Sequence, residues 1–368
     1  MKKLNKNALR TLLLIGKYAR WAVGIALALF LTWRVYQVLF VQQAFTPDTW
    51  LRFALSGLIL GGMYALIAIG YTLVYGIMFM INFAHGEVMM IGAFCCYFVF
   101  EILRFIPAPI AGNPDLVFLN AHPLISIVLA FLVGMTVSGF SGYFLEKIAY
   151  RPLRHAPRLI LLITAIGASI FLQNAAMLLF GPQRKNIVNP AILDRTAGWT
   201  IQLAGKPVLI SYTGAFSLIL SALLMIGLYI LVQKTKLGRS MRAVAQDQDS
   251  AALMGVDVNR VVSQTFIISG ILAGASGVMW GIHMGLVNHI TGSLPGIKAF
   301  TAAVLGGVGN IPGAMLGGIT LGVIESMGPA LFGIDFQLKD VIAFVTLIVV
   351  LIIRPSGILG EKLTEEKL

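Results

Sequence analysis

Apolar runs of about twenty residues recur through this chain, and the charges between them come in short basic clusters. Leu51–Gly70, Pro123–Ile148, Leu159–Phe180, Thr213–Val232 and Val261–Gly285 each reach the roughly 20 residues a helix needs to cross a hydrocarbon core. Of 368 residues, 58% are hydrophobic and 11% charged. A soluble chain carries about 25% charged residues. The expected fold is therefore all-α, a polytopic helical membrane protein. Its 39 glycines suit helices that pack backbone to backbone.

The net charge of +12 does not point to nucleic acid, because the basic residues flank apolar spans in the positive-inside manner. On that rule Lys147–Arg158, Lys234–Arg260 and the tail 361–368 are cytoplasmic. So is the N-terminus, where Lys2, Lys3, Lys6, Arg10, Lys17 and Arg20 occur without an acid. Residues 21–41 are expected to form an uncleaved first span within an N-terminal extension, 1–49, since no small-residue cleavage site follows them. An amphipathic surface helix is the alternative. Ile106–His122 lacks Lys and Arg and is placed outside, and Gly285–Gly296 is expected to be a further outside loop. Gly181–Tyr212 joins them there by the count of crossings, although it holds Arg184, Lys185, Arg195 and Lys206. Cys95 and Cys96 are adjacent inside a span, so neither a disulfide nor a metal motif is expected.

Tyr71–Phe94, YTLVYGIMFMINFAHGEVMMIGAF, is apolar but carries Asn82, His85 and Glu87 at membrane depth. Such groups are costly there and face a protein interior or a wet cavity. Gly86 is expected to break the helix, and free backbone groups at that depth must line a cavity. A second interruption is read at Gly306–Gly318. Broken or re-entrant helices in two pseudo-repeated halves point to a central site, with packing as the competing reason for each glycine. Asn82, His85, Glu87, Gly307, Gly309 and Asn310 are the candidate translocation-path residues. If the first piece is helical, the spacing of His85 and Glu87 sends them to different faces. HxE without PCxxC does not make a zinc deaminase site. No metal, cofactor or catalytic group is expected, and the chain is not read as an enzyme.

Lys234–Arg260 is the one extended cytoplasmic segment. It is helix-permissive from Ser240 to Met254, with Gly255 as a stop. No GxxxxGK[ST] phosphate loop occurs, so an ATPase, if one drives transport, is another chain. Asp247, Ala251, Ala252 and Gly255 are the candidate coupling residues, where small side chains let a helix dock closely. A solvated connector is the competing reading.

These blocks, with YRPLRHAPRLILLITAIGASIFLQN and GIKAFTAAVLGGVGNIPGAMLGGITLGVIES, resemble the LivH-type permeases of branched-chain amino acid ABC importers over residues 50–360. The resemblance implies a multi-pass permease domain over 50–360 in a bacterial inner membrane. It also implies a LivM-like permease partner, two cytoplasmic ATPase subunits and a periplasmic amino-acid-binding protein. It places Asp247–Arg260 at the position of an ATPase-coupling helix, although Ser250 stands where the family pattern has an acid. Urea and amide permeases belong to the same family and are the alternative. An ion-coupled secondary transporter using Glu87, Glu101, Glu146 or Glu325 is a further one.

Overall fold

The computed structural model describes residues 29–30, 32–42, 45–108, 116–154, 156–203, 205–354 and 356–360. Residues 1–28 and 361–368 lie outside the described residues, and with them residues 21–28 of the expected first span and the whole tail. Gln37–Gln42, at the end of that expected span, forms a π-helical turn.

Eight described helices are long and apolar enough to cross a membrane. Leu51–Gly70 and the start of the Tyr71–Phe94 stretch are one helix, α1 (Pro47–Met78), opened by Pro47 in its first turn and closed by Phe79 in the left-handed region (φ 50°). α2 is His85–Phe105. α3 (Pro123–Phe144) runs on through a π turn, Leu145–Tyr150. α4 is Arg158–Phe180 and α5 Tyr212–Lys234. Two short helices follow, α6 (Lys236–Gln246) and α7 (Gln248–Leu253). α8 is Val258–Met284, α9 Ser293–Gly306, α10 Ile311–Phe332 and α11 Lys339–Ile353.

Helix ends are fixed by side chains that satisfy the unpaired first N–H groups. Ser211 accepts from Gly214 N–H, Asp257 from Arg260 N–H and Asn310 from Gly313 N–H. Left-handed Gly285 and Gly333 close α8 and α10, the geometry glycine adopts without a Cβ clash.

Two small sheets add to the helices. β1 (Lys185–Asn186) pairs antiparallel with β4 (Leu286–Val287), and β2 (Gly198–Leu203) with β3 (Lys206–Ser211). Arg195 donates to the Ile187 and Met284 carbonyls at 3.0 and 3.2 Å, and Arg52 of α1 donates to Pro207 at 2.5 Å. This is the hairpin end of the bundle. The opposite, basic end carries the connection around 151–158 and helices α6 and α7, where Gln248 donates to the Ile77 carbonyl at 2.7 Å.

α1 and α8 form the centre, and α4, α5 and α11 the periphery. α1 and α10 run antiparallel in near backbone contact. A Cβ on Gly57 would come 2.8 Å from Val323 Cα, and one on Gly61 2.8 Å from Ile319 Cα. No larger residue permits that approach, which yields dispersion contacts where lipid offers no hydrophobic drive.

Two buried charge clusters brace the ends. Near the hairpin end, Lys298 of α9 pairs with Glu325 of α10 at 2.8 Å and Asp340 of α11 at 2.6 Å, 5.9 Å from the Tyr64 ring. At the basic end, buried Glu146 accepts from Arg151, Arg154 and Ser263, tying the end of α3 to α8.

Candidate functional site

The first break begins where α1 reaches the basic end and leads back into the bundle, ahead of Gly86. It is Phe79–Ala84, with Gly86 already inside the first turn of α2. The break is held by tertiary contacts: Asn82 Oδ1 accepts from Ala84 N–H at 3.2 Å and from the Tyr150 hydroxyl at 2.6 Å. Gly86 instead permits contact. A Cβ there would lie 2.5 Å from the Gly292 carbonyl oxygen and 2.9 Å from Gly296 Cα.

The expected second interruption, Gly306–Gly318, does hold a break, Gly307–Asn310, at the basic end, but the break that meets the first one lies elsewhere. It is the turn Asn288–Gly292, which the sequence suggested was an outside loop. Asn288 and Thr291 close it by hydrogen bonds to one another, at 2.8 Å for side chain to side chain. α2 and α9 thus begin against each other inside the bundle. His85 marks the depth: it packs on Gly70, two turns before the end of α1, and its Nδ1 is 3.3 Å from Ser269 Oγ, three turns into α8.

His85 and Glu87 do face different ways. His85 turns to α1 and α8, edge-on to Tyr71 at 4.9 Å. Glu87 turns to α4 and α9, where its Oε1 accepts from Gln173 Nε2 at 2.8 Å, Ser293 Oγ at 3.3 Å and Ser169 Oγ at 3.4 Å. Its Oε2 is buried without a hydrogen-bond partner. Glu87 stands in the wall of a cavity of about 140 Å³ between α2, α4 and α9, with Phe83, Ile166, Ile170 and Ile297 supplying apolar surface. Ser169, Gln173 and Ser293 were not singled out from the sequence. Ser169 and Gln173 show there only as polar residues one turn apart within an apolar span.

Asn82 and His85 adjoin this site through the chain but are not in its wall. Gly307, Gly309 and Asn310 are elsewhere, at the basic-end turn between α9 and α10. Gly307 and Gly309 have φ 109° and 92°. Asn310 Nδ2 donates to the Leu359 carbonyl at 2.9 Å, and Ile358 and Leu359 N–H donate to the last carbonyls of α9.

The expected single helix over Ser240–Met254 is two helices, parted at Asp247. That carboxylate caps α7, accepting from Asp249 N–H at 3.0 Å. The Ser250 hydroxyl also donates to it, and these bonds hold it below the usual carboxylate range, the Ser250 bond foremost. Gly255 stops the segment at φ 85°. Ala251 packs into the chain's own core, whereas Ala252 and Gly255 are exposed. Beside them Leu253 and Met254 are 89% and 85% exposed, an apolar tip that sequence reading passed over.

Comparison with known proteins decides the family. Residues 53–351 match the family described as branched-chain amino acid transport system / permease component. The chain belongs to that family. It is 44% identical to the high-affinity branched-chain amino acid transport system permease protein BraD of Pseudomonas aeruginosa, over 86% of this chain and 98% of that protein. It is 38% identical to LivH of Escherichia coli K12, over 89% of this chain and 97% of that protein. The archaeal LivH of Methanocaldococcus jannaschii is 29% identical over 83% of the chain. No solved structure matches. This permease is a multi-pass integral membrane protein of helical fold.

Proposed function

We propose that this permease carries branched-chain amino acids across a bacterial inner membrane as one subunit of an ABC importer. The observation that carries the reading is similarity along nearly the full length of BraD, 98% of that protein. A partner permease, two ATPase subunits on the cytoplasmic side and an extracytoplasmic binding protein complete the machine in this reading. The basic end, with its Arg and Lys clusters, faces the cytoplasm, and an N-terminus on the same side agrees with the six basic residues of 1–20.

The path passes the two chain breaks. Unwound backbone at that depth is tolerated beside a cavity, and Glu87 lines one. Asn82 and His85 hold the first break in shape, while Gly307, Gly309 and Asn310 form the basic-end turn of α9, the helix that starts at the cavity. ATPase closure reaches them through Asp247–Gly255, with Ala252, Leu253, Met254 and Gly255 as the contact surface, Asp247 as its cap and Ala251 as its anchor to the bundle.

The test is uptake of radiolabelled leucine into proteoliposomes holding the assembled complex. Uptake that needs ATP and the binding protein is the expected result. Uptake by this chain alone, driven by an ion gradient, would overturn the reading in favour of a secondary transporter.

A further inference from the structure

We propose that the cavity beside Glu87 is a recognition subsite for a zwitterionic aliphatic amino acid, in which the Glu87 carboxylate receives the substrate's α-ammonium group. The inference rests on reading this cavity as part of the path and adds what the cavity recognises.

The two oxygens of Glu87 are unequally served. Oε1 accepts from Gln173, Ser293 and Ser169, whereas Oε2 is buried with no hydrogen-bond partner. A bare acceptor out of water is expensive. It persists where a ligand supplies the missing donor, and an ammonium group supplies three. The terminal torsion of a glutamate is broad and two-fold, so a small rotation presents Oε2 to the cavity without disturbing α2.

Helix starts and hydrogen-bond donors surround the Glu87 carboxyl. Glu87 is in the first turn of α2, and α9 also begins here, through Gly292 and Ser293. The positive end of a helix dipole stabilises an anion within about one turn. Gln173 and the two serines add three donors.

Shape and polarity of the rest fit the other end of such a substrate. Ile166, Ile170 and Ile297 form an apolar wall. One water needs about 10–15 Å³ of such space, so 140 Å³ takes roughly ten non-hydrogen atoms, the size of a small aliphatic amino acid. A neutral amide such as urea would meet the carboxylate without charge and leave the isoleucine wall unused.

The test uses the assembled complex in vesicles, with Ile166→Cys as a reporter at the cavity wall in a chain whose Cys95 and Cys96 are replaced by alanine. Labelling by a small neutral maleimide is timed with leucine, with leucinamide (ammonium, no carboxylate) and with 4-methylpentanoate (carboxylate, no ammonium). Leucine and leucinamide should slow labelling, and 4-methylpentanoate should not. Glu87→Gln, which keeps size and hydrogen bonding, should weaken protection by leucine about ten- to a hundredfold, the range for a charge-assisted bond. Glu87→Asp should retain part of it. Equal protection by leucine in Glu87→Gln, or protection by 4-methylpentanoate, overturns the ammonium assignment while leaving the cavity in the path. If labelling of the Ile166→Cys reporter is indifferent to all three compounds while the complex still imports leucine, the path reading itself fails. Binding-protein-stimulated ATP hydrolysis by the Glu87→Gln complex reports whether it assembled, and Glu87→Asp carries the test if it did not.

Discussion

Gly86 and Gly292 are in backbone contact: a Cβ on Gly86 would lie 2.5 Å from the Gly292 carbonyl oxygen. That contact joins the starts of α2 and α9 and sets the width of the Glu87 cavity. Gly86→Ala is expected to force the two helix starts apart. The overpacking should cost about 1–3 kcal/mol, read as a lower melting temperature of the purified complex. Gly86→Val should cost more. Unchanged melting in both would mean that the helices separate freely.

Asn82 serves two donors at once. Tyr150→Phe removes one of them and should destabilise by about 1 kcal/mol. Asn82→Ala leaves the Tyr150 hydroxyl unpaired and the Ala84 N–H open, and should cost roughly 2–3 kcal/mol. With both substitutions together the total should fall short of the sum, because the pair shares a bond. Thermal unfolding of the four proteins in one detergent closes the cycle.

The Lys298–Glu325 pair is buried and is reached by Lys339 only at 3.6 Å. Lys298→Met strands Glu325, at a cost of about 3 kcal/mol. Lys298→Met with Glu325→Met replaces the charges by apolar volume and should return to within about 1 kcal/mol of the starting protein. A double variant as unstable as the single one would show that Asp340, not Glu325, is the partner that matters.

The tip of the basic-end segment can be separated from its fold. Leu253→Asp with Met254→Asp changes two side chains that this chain does not bury, so insertion and melting should stay as they were. ATP hydrolysis should persist while leucine uptake falls at least about tenfold, as when a hot-spot contact worth about 1.4 kcal/mol or more is lost. Gly255→Val should act on the same coupling by a different cause, since φ 85° strains a β-branched residue even though a Cβ there meets open space. Normal uptake in both would remove the segment from the coupling route.

Asp247 gives this segment a pH response of definite sign. Its folded pKa is lowered from 3.8 by the Ser250 hydroxyl and two backbone bonds, so its contribution is complete above the ordinary carboxylate value and is lost as pH falls through the lowered one. Asp247→Asn keeps a capping oxygen and should remove that acid sensitivity of α7 without loss of uptake at neutral pH. Hydrogen exchange at Ser250 and Ala251, measured from about pH 3 to about pH 6 and corrected for intrinsic rates, checks both.

The spans and the polar residues at depth were legible in the sequence because hydropathy and the cost of burying Glu87 are local properties. The positions of the two breaks that meet were not. Gly86 is conspicuous, yet it serves a contact with Gly292, far along the chain. The true break ends at Ala84, fixed by Asn82 and by Tyr150 from beyond another helix. Asn288–Gly292 read as a surface loop because turn residues look alike at a membrane face and inside a bundle. Ser169 and Gln173 acquire meaning only when α4 brings them to Glu87. Ala251 looked like a docking residue by its size, and only the fold of α7 against the bundle turns it inward.

Near the carboxyl end the main chain is stitched to α9, Ile358 N–H to the Leu305 carbonyl and Leu359 N–H to that of Gly306. The opposite tip of that short helix carries Ser293. A purification handle or fusion partner attached beyond Gly360 therefore hangs from a lever whose far end touches Glu87, and a load placed there bears on the wall of that cavity.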